Sequence, residues 1–265
     1  MIKVILSVLI AVAAVSCDVQ KEEYNTQRVE ENLVRATAPD ATEAVEVGYL
    51  LPGLDHGFIQ SPINILTCET VKKDKHSLNL HYKKSNEKVS NLGHTIQVNY
   101  ATGSTVEFDG LSYDFVQFHF HTPSEHLIDG VTYPMEMHMV HKRKVPGHPD
   151  SVSYLVIGVW FKEGRENNPF LDEFLGAIPE EDGAVKEVKG GVVNINDLLE
   201  QPGERKYYHY HGSLTTPPYS ESVSWLLLSH IFNASPSQIE KINRLEGNNA
   251  RHIQAKYSRE VEMVE

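Results

Sequence analysis

Two histidines lie one residue apart in an aromatic stretch, QFHFHTPSEH, at residues 117–126. In a β-strand, residues i and i+2 point to the same face, so His119 and His121 would project side by side. Phe118 and Phe120 would face the opposite way, towards a core. The spacing therefore places two imidazoles on one wall, where they can bind a metal ion.

A third histidine follows in the segment PMEMHMVHK, where His138 comes two residues after Glu136. If the two segments pair as neighbouring strands, His138 completes a set of three ring nitrogens. Three protein ligands with one open position form the geometry of a catalytic zinc site. The alternative is structural, because a single histidine on a strand is more often a core or surface residue than a ligand. The chain has 14 His, and six are interpreted as surface or structural: His56, His76, His81, His148, His230 and His252.

The composition indicates a folded domain that does not bind nucleic acid. The chain has 265 residues, a hydrophobic content of 40% and a formal net charge of -12. Such a chain can bury a sizeable core, and a single domain of roughly 200 to 250 residues is common among β-rich folds. Nucleic-acid binding requires a basic face, which the acidic balance argues against.

Residues 1–16 are predicted to be a signal peptide of the lipoprotein type. Lys3 precedes an apolar run that ends at Val15, and this run is shorter than the roughly 20 apolar residues of a membrane span. Cys17 directly follows AVS, which resembles a bacterial lipobox, so Cys17 is expected to become the lipidated N-terminus. An ordinary signal peptide with a chance cysteine is the alternative. The next residues, CDVQKEEY, resemble the export tag of surface lipoproteins in some Gram-negative bacteria, with a plain acidic linker as the alternative.

Residues 17–47 are polar and charged and are predicted to be a tether. About 30 flexible residues have an end-to-end distance of roughly 30 Å, enough to lift a domain off a membrane. The lipid would be the only membrane attachment, in the periplasm or at the outer membrane or surface of a Gram-negative bacterium. With Cys17 lipidated, Cys68 would have no partner within the chain and is expected to be buried.

From residue 48 onward, short segments alternate polar and apolar residues, among them SLNLHY, TIQVNY, FVQFHFH and SYLVIGVWF. Period-two alternation rich in Val, Tyr and Phe predicts strands. Two segments have helical spacing: NPFLDEFLGAI, which Pro179 would end, and SPSQIEKINRL, which Ser235 or Ser237 would cap. Residues 48–265 are therefore predicted to form a single mainly β (α+β) domain with a few short helices.

Four blocks of the sequence, in order, resemble the α-class carbonic anhydrases. They are QSPINI at 60–65, QFHFHTPSEHLIDG at 117–130, EMHMVH at 136–141 and GSLTTPP at 212–218. The resemblance covers roughly Gln60 to Arg251. It implies a large twisted, mostly antiparallel β-sheet with zinc at the base of a conical cleft.

The resemblance implies a metal centre with one Zn²⁺ per chain. His119, His121 and His138 match the zinc ligands of the family. Gln117 would hydrogen-bond the first of them and Glu136 the third, and such partners fix the orientation of a ligand ring. The backbone carbonyl of Asn249 would lie behind the second.

The same resemblance implies a catalytic threonine. The Thr215 hydroxyl would accept a hydrogen bond from the zinc-bound oxygen and donate one to Glu125, whereas a purely structural interpretation of TTPP is a proline-stiffened turn. Thr216 would contact bicarbonate. An apolar wall for CO2 matches four residues: Val140, Val156, Leu214 and Trp225.

Regeneration of hydroxide requires a proton carrier, and an ordinary histidine, which titrates near pH 6.5, suits this role at neutral pH. His94 matches the family's shuttle position; the alternative is an exposed loop histidine without a role. Leu92 and Gln97 depart from the best-studied pattern around it. The family's HWxY block is replaced by EVGYLLPGLDHGF, and Tyr219 stands where many exported bacterial members have a disulfide cysteine.

Together these features predict a carbonate dehydratase, a lyase in which zinc-bound hydroxide attacks CO2 reversibly to give bicarbonate and a proton. Sulfonamides are expected to inhibit it. The alternatives are a non-catalytic binding or adhesion module on the same fold, and a zinc hydrolase with esterase activity. The His-Glu-x-x-His motif of many zinc peptidases is absent from the sequence. A homodimer is a hypothesis by analogy with exported relatives alone.

Overall fold

The computed structural model describes residues 57–74, 76–199 and 206–265. The predictions for the signal peptide, for Cys17, for the tether and for a domain start at residue 48 lie outside the described residues. Within the part that is described, no helix has the length and apolar character needed to cross a membrane.

The described residues form strands connected by short turns, with few helices. The strands are β1 (Asn64–Ile65), β2 (Val71–Lys73), β3 (Leu78–His81), β4 (Ser85–Asn91), β5 (Ile96–Asn99), β6 (Thr105–Phe108), β7 (Leu111–His121), β8 (Leu127–Ile128), β9 (Met135–Val145), β10 (His148–Glu163), β11 (Val185–Val193), β12 (Tyr207–Gly212), β13 (Val223–Ala234) and β14 (Glu262–Val264). The helices are a 3-10 helix (Thr67–Glu69), α1 (Pro169–Leu175), α2 (Asn196–Leu199) and α3 (Pro236–Glu246).

Twelve of these strands form one large sheet. Its main path runs β11-β4-β5-β7-β9-β10-β13-β12-β14-β2, and β6 pairs with both β3 and β7. Most neighbours are antiparallel, but β10–β13 and β14–β2 are parallel. Strands β1 and β8 form a separate parallel pair. The predicted mainly β fold with a large, mostly antiparallel sheet is confirmed.

The alternation in the strand sequences gives the sheet two different faces. On β7, Phe118 and Phe120 join a large core that also contains Phe170 and Phe174 of α1. A smaller cluster on the opposite face contains Trp225 and the aromatic residues of β12 that point the same way. Because side chains alternate along a strand, the histidines of β7 belong to the face of this smaller cluster.

Helix α1 begins where the sequence predicted but ends earlier. The Asn168 side chain caps its N-terminus by accepting a hydrogen bond from the Phe170 backbone N–H at 3.1 Å. The helix ends at Leu175 rather than at Pro179, so the predicted end is wrong. The physical reason lies in the next residues: Gly176 is a poor helix former, and the chain then turns into the core, burying Ile178.

Helix α3 has the predicted capping serine. Of the two candidates, Ser235 is the N-cap, and it forms a reciprocal capping box with Gln238. Such a pair satisfies two backbone donors that the first helical turn would otherwise leave without acceptors. The apolar side of the helix, including Ile239 and Ile242, packs into the larger core.

Cys68 differs from its prediction. It lies in the 3-10 helix Thr67–Glu69, where it is exposed and disulfide-bonded. The expectation of a buried cysteine without a partner is therefore wrong. The reason is local: this helix is a three-residue surface turn between β1 and β2, and none of its residues is buried.

Candidate active site

Strands β7 and β9 are antiparallel neighbours, as the histidine pattern required. His119 lies directly opposite His138, and His121 lies opposite Glu136. The ring centroids of the three histidines are 4.6 to 5.4 Å apart. Each ring offers one nitrogen to a common point, and these nitrogens all lie within 4.8 Å of one another. The register of two strands thus gathers three candidate ligands.

Two of the three rings have their outer nitrogen engaged by a neighbouring side chain. Nδ1 of His119 lies 3.0 Å from Oε1 of Gln117. Nε2 of His138 lies 2.7 Å from Oε1 of Glu136. These contacts are the predicted ones, and they leave Nε2 of the first ring and Nδ1 of the second for a metal ion.

The third ring has a different environment. His121 is buried, and within the described part of the chain neither of its nitrogens has a hydrogen-bond partner of ordinary geometry. The Asn249 backbone is nevertheless close enough to favour the protonated ring. The Asn249 side chain holds the surrounding loops, accepting from the Thr122 backbone at 3.0 Å and donating to the His94 carbonyl at 2.9 Å.

Burial keeps His119 and His121 neutral. Burial, assisted by the charge of His138, lowers the pKa of His119 to about 3 and that of His121 well below its ordinary value. Neutral imidazoles are the form that binds zinc, and a buried nitrogen without a partner gains most from a cation. The donor set and the unpartnered nitrogens of His121 therefore fit a zinc ion.

Glu136 is the centre of the hydrogen-bond network behind the histidines. Oε1 accepts from the rings of His138 and His126, at 2.7 and 2.8 Å. Oε2 accepts from the backbone N–H groups of Glu125 and His126, at 2.9 and 2.8 Å. Burial alone would raise the pKa of Glu136, but charge and hydrogen bonding from the two rings outweigh it and lower the pKa. Glu136 therefore stays ionised and fixes both rings.

Glu125 lies close to the metal-binding side of the histidines. Its Oε2 is 3.5 Å from Nε2 of His121 and 3.9 Å from Nδ1 of His138. Oε1 accepts a hydrogen bond from the Arg251 backbone at 2.9 Å. Burial raises the pKa of Glu125 to about 7, and the nearby Thr215 hydroxyl opposes this by favouring the ionised form. No donor among the described residues makes a hydrogen bond of ordinary geometry to Oε2 of Glu125.

The four predicted apolar pocket residues lie in one cluster. Val156 and Trp225 are buried in it, and Val140 and Leu214 pack against it half-buried. The Trp225 ring meets the His138 ring edge-on, with centroids 4.8 Å apart. Thr216, two residues after Leu214 in the chain, is exposed. The structure therefore brings the predicted apolar wall to the three histidines of β7 and β9.

His94 lies at the exposed end of this site, in the turn between β4 and β5. Its ring is exposed, and Nδ1 lies 3.0 Å from the Leu92 carbonyl. Burial is the largest cause of the lowered His119 pKa, but the charge of His94 contributes as well. This contribution places His94 within electrostatic range of the histidine triad while its ring contacts solvent.

Sequence reasoning missed the role of Arg251 in the site. Its guanidinium donates to the Ser61 carbonyl at 2.7 Å and to the Gln60 side chain at 2.9 Å, and it lies over the Tyr219 ring at 3.9 Å. Arg251 thus connects QSPINI to the loop that follows TTPP. The signal available in the sequence was a cation among polar residues at the end of the region that the resemblance covers.

A family model for eukaryotic-type carbonic anhydrases matches residues 52–265. The chain belongs to this family. A carbonic anhydrase of Neisseria gonorrhoeae is 41% identical over 199 residues, which cover 74% of this chain and 73% of that protein. The protein is therefore a carbonic anhydrase, and it catalyses the reversible hydration of CO2.

Solved carbonic anhydrase structures have the same fold. A hyperthermostable carbonic anhydrase from a hydrothermal vent chimney superposes with a TM-score of 0.72 at 35% identity, covering 84% of this chain and 94% of that one. The Thermovibrio ammonificans enzyme in complex with sulfanilamide gives 0.71 at 35% identity, covering 83% and 94%.

Proposed function

We propose that catalysis depends on one zinc ion held by His119 Nε2, His121 Nε2 and His138 Nδ1. The observation that carries this proposal is the convergence of three imidazole rings, two of which have their outer nitrogen fixed by Gln117 and Glu136. When bound, zinc would lower the pKa of a water ligand to about 7, the value known for carbonic anhydrase, and so supply a nucleophile at neutral pH.

Glu125 and Thr215 orient the nucleophile in this proposal. The Arg251 backbone N–H and the Thr215 hydroxyl both favour the ionised form of Glu125. A hydroxyl that donates its proton to this carboxylate can only accept from the reacting oxygen. Thr215 therefore selects an oxygen that still carries a proton to donate, as hydroxide does, and directs a lone pair of that oxygen towards the substrate.

The apolar wall binds CO2, which has no net dipole and gains from leaving water. Val156 and Trp225 form the buried part of this wall, and Val140 and Leu214 its half-buried edge. Bicarbonate is charged and needs polar partners, which the exposed Thr216 offers on the solvent side. Because CO2 prefers the apolar wall and charged bicarbonate prefers the polar solvent side, the product tends to leave the wall and a new CO2 molecule can take its place.

His94 carries the released proton to buffer. An exposed ring can turn between the site and solvent, and its partner, the Leu92 carbonyl, restrains only Nδ1. Loss of a carrier at this position would therefore limit turnover when external buffer is weak.

The test is stopped-flow CO2 hydration by protein lacking residues 1–17, with zinc content measured on the same sample. Fast hydration with about one tightly bound zinc per chain, both lost in His119→Ala, would support the proposal, as would full inhibition by a sulfonamide. Zinc binding without hydration would favour the non-catalytic binding module instead. Slow hydrolysis of activated esters is expected as a side reaction.

We propose further that the protein is exported and anchored through a lipid on Cys17, in the periplasm or at the outer membrane of a Gram-negative bacterium. The support is the lipobox-like AVSC at residues 14–17. The chain has 2 Cys, so an intrachain disulfide of Cys68 needs the same sulfur that lipidation would use. Mass spectrometry of the membrane fraction decides between a lipidated mature N-terminus and a disulfide, with Cys17→Ser as the control.

A further inference from the structure

A second group of histidine and carboxylate side chains lies outside the catalytic site. It consists of His76, between β2 and β3, with His209 on β12 and Glu262 on β14. Nε2 of His76 and Nδ1 of His209 each lie 2.8 Å from the same carboxylate oxygen, Oε2 of Glu262. Three distant segments of the chain thus bring two imidazoles and one carboxylate to a single point.

This group lies on the opposite face of the sheet from the catalytic histidines. Tyr208 and Tyr210 of β12 belong to the cluster beside the active site, whereas Tyr207 belongs to the larger core on the other face. Side chains alternate along a strand, so His209 shares the face of Tyr207. The Phe108 ring of that core packs against both histidines, with centroids 5.0 and 5.3 Å away.

The outer nitrogen of each histidine is fixed by an oxygen. Nδ1 of His76 lies 2.6 Å from Oδ2 of Asp109, and Nε2 of His209 lies 2.9 Å from Oγ of Ser224. Metal-binding histidines almost always have this arrangement, because the outer contact sets the tautomer and turns the other nitrogen towards the ion. The pattern repeats what Gln117 and Glu136 do at the catalytic site.

A buried hydroxyl without a partner lies beside the group. Tyr207 is 3% exposed, and within the described residues its hydroxyl has no hydrogen-bond partner. Burial raises its pKa to about 12, and the charges of Asp109 and Glu262 add to this, so the hydroxyl lies near both carboxylates. Such a group can donate to Glu262 or to a water on an ion. The side chains of His76 and Glu262 are 22% and 19% exposed, which leaves a route from solvent.

We propose that His76 Nε2, His209 Nδ1 and the Glu262 carboxylate bind a second transition-metal dication, of the zinc class. Two imidazoles and one carboxylate form an established zinc ligand set, and a water would complete it. Ligand atoms at about 2.0–2.1 Å around a tetrahedral ion are roughly 3.3 Å apart. The observed 2.8 Å contacts would therefore lengthen by about half an ångström as the ion replaces shared protons.

The ion would connect parts of the molecule that otherwise meet weakly. β14 is a three-residue strand that pairs with β12 and β2, and His76 lies three residues after the end of β2. An ion held by His209, Glu262 and His76 joins this end of the sheet across its strands. An ion that binds only the folded state raises stability in proportion to the logarithm of its concentration over Kd. The expected role is structural, with CO2 hydration unchanged.

The test uses full-length tag-free protein in which His119→Ala and His121→Ala remove the catalytic metal centre. After chelator treatment, Co²⁺ and Zn²⁺ are titrated by calorimetry and visible absorption. We expect one equivalent bound, Co²⁺ d–d bands and a metal-dependent rise in Tm of several degrees. Addition of His76→Ala or Glu262→Gln should abolish all three, whereas His81→Ala, an exposed histidine on β3, should not.

Wild-type protein should bind two equivalents, and His76→Ala alone should bind one and retain full CO2 hydration. The proposal is overturned if the variant without the catalytic histidines binds no metal. It is equally overturned if that variant keeps its equivalent after Glu262→Gln or His209→Asn. Melting curves in excess chelator show whether each variant is folded, so that a folding failure is not mistaken for loss of the site.

Discussion

Replacing Glu136 by Gln should weaken both the fold and the metal site, because this carboxylate accepts four hydrogen bonds. The four donors lie at 2.7 to 2.9 Å, two on each oxygen. The glutamine amide keeps one oxygen as an acceptor, but an NH2 group replaces the other oxygen. This NH2 group is a donor, and it would face the two donors that the lost oxygen accepted from. Two hydrogen bonds to a charged group are lost, at about 1.5–3 kcal/mol each, or ~3–6 kcal/mol together. For a chain of this size the Tm should fall by ~6–24 °C.

Zinc affinity should fall as well, since loss of the partner behind a metal-binding histidine typically costs about 10- to 100-fold. The assays are thermal unfolding in excess chelator and zinc competition against a chromogenic chelator. Glu107→Gln is the matched control, since Glu107 is an exposed residue on β6. Equal Tm and equal zinc affinity for Glu136→Gln and wild type would refute the reasoning that this carboxylate holds the site together.

Three further outcomes are expected. Burial raises the pKa of Glu246 from 4.5 to about 8, so the folded state holds this proton and loses stability as pH rises between these values. Glu246→Gln should remove that loss, which is at most ~3 kcal/mol between pH 5.5 and 8.5. Urea unfolding curves at these two pH values that change in parallel for variant and wild type would contradict it. Thr215→Val should keep its zinc but lose ~10- to 100-fold in kcat, the value of one hydrogen bond to a charged group, and an unchanged kcat would exclude the orienting role. His94→Ala should lower turnover by ~10-fold or more in dilute buffer, with kcat/KM unchanged and imidazole restoring the rate; a defect that imidazole leaves uncorrected would exclude a shuttle.

The alternation of polar and apolar residues in the strands could be read from the sequence. Successive side chains of a strand point to opposite faces, so this alternation determines which residues share a face. It placed His119 and His121 together, and it required the pairing with the strand of His138 that the structure shows. The capping serine of α3 was visible for a similar reason, since a cap is a local interaction. The two-residue period of a strand and the capping of a helix both depend on residues that are close in the chain, so both can be predicted from the sequence alone.

Contacts between distant segments were less visible. The sequence suggested Glu136 as a partner of one histidine, but its two backbone donors come from a loop that the fold brings back. The cluster of His76, His209 and Glu262 could not be predicted, because three segments meet there only after the sheet has formed. Cys68 was mispredicted because exposure depends on where a turn lies on the finished surface.

The pairing of β2 with β14 also determines the order in which the sheet can be completed. In that sheet β2 has β14 as its partner, with Val71 opposite Glu262. These positions are 191 residues apart (262 minus 71). At about 5–20 residues per second, a ribosome needs on the order of 10–40 s to make the second strand after the first. For that time β2 lacks the neighbour it has in the finished sheet, so this edge of the sheet can form only after nearly the whole chain has been synthesised.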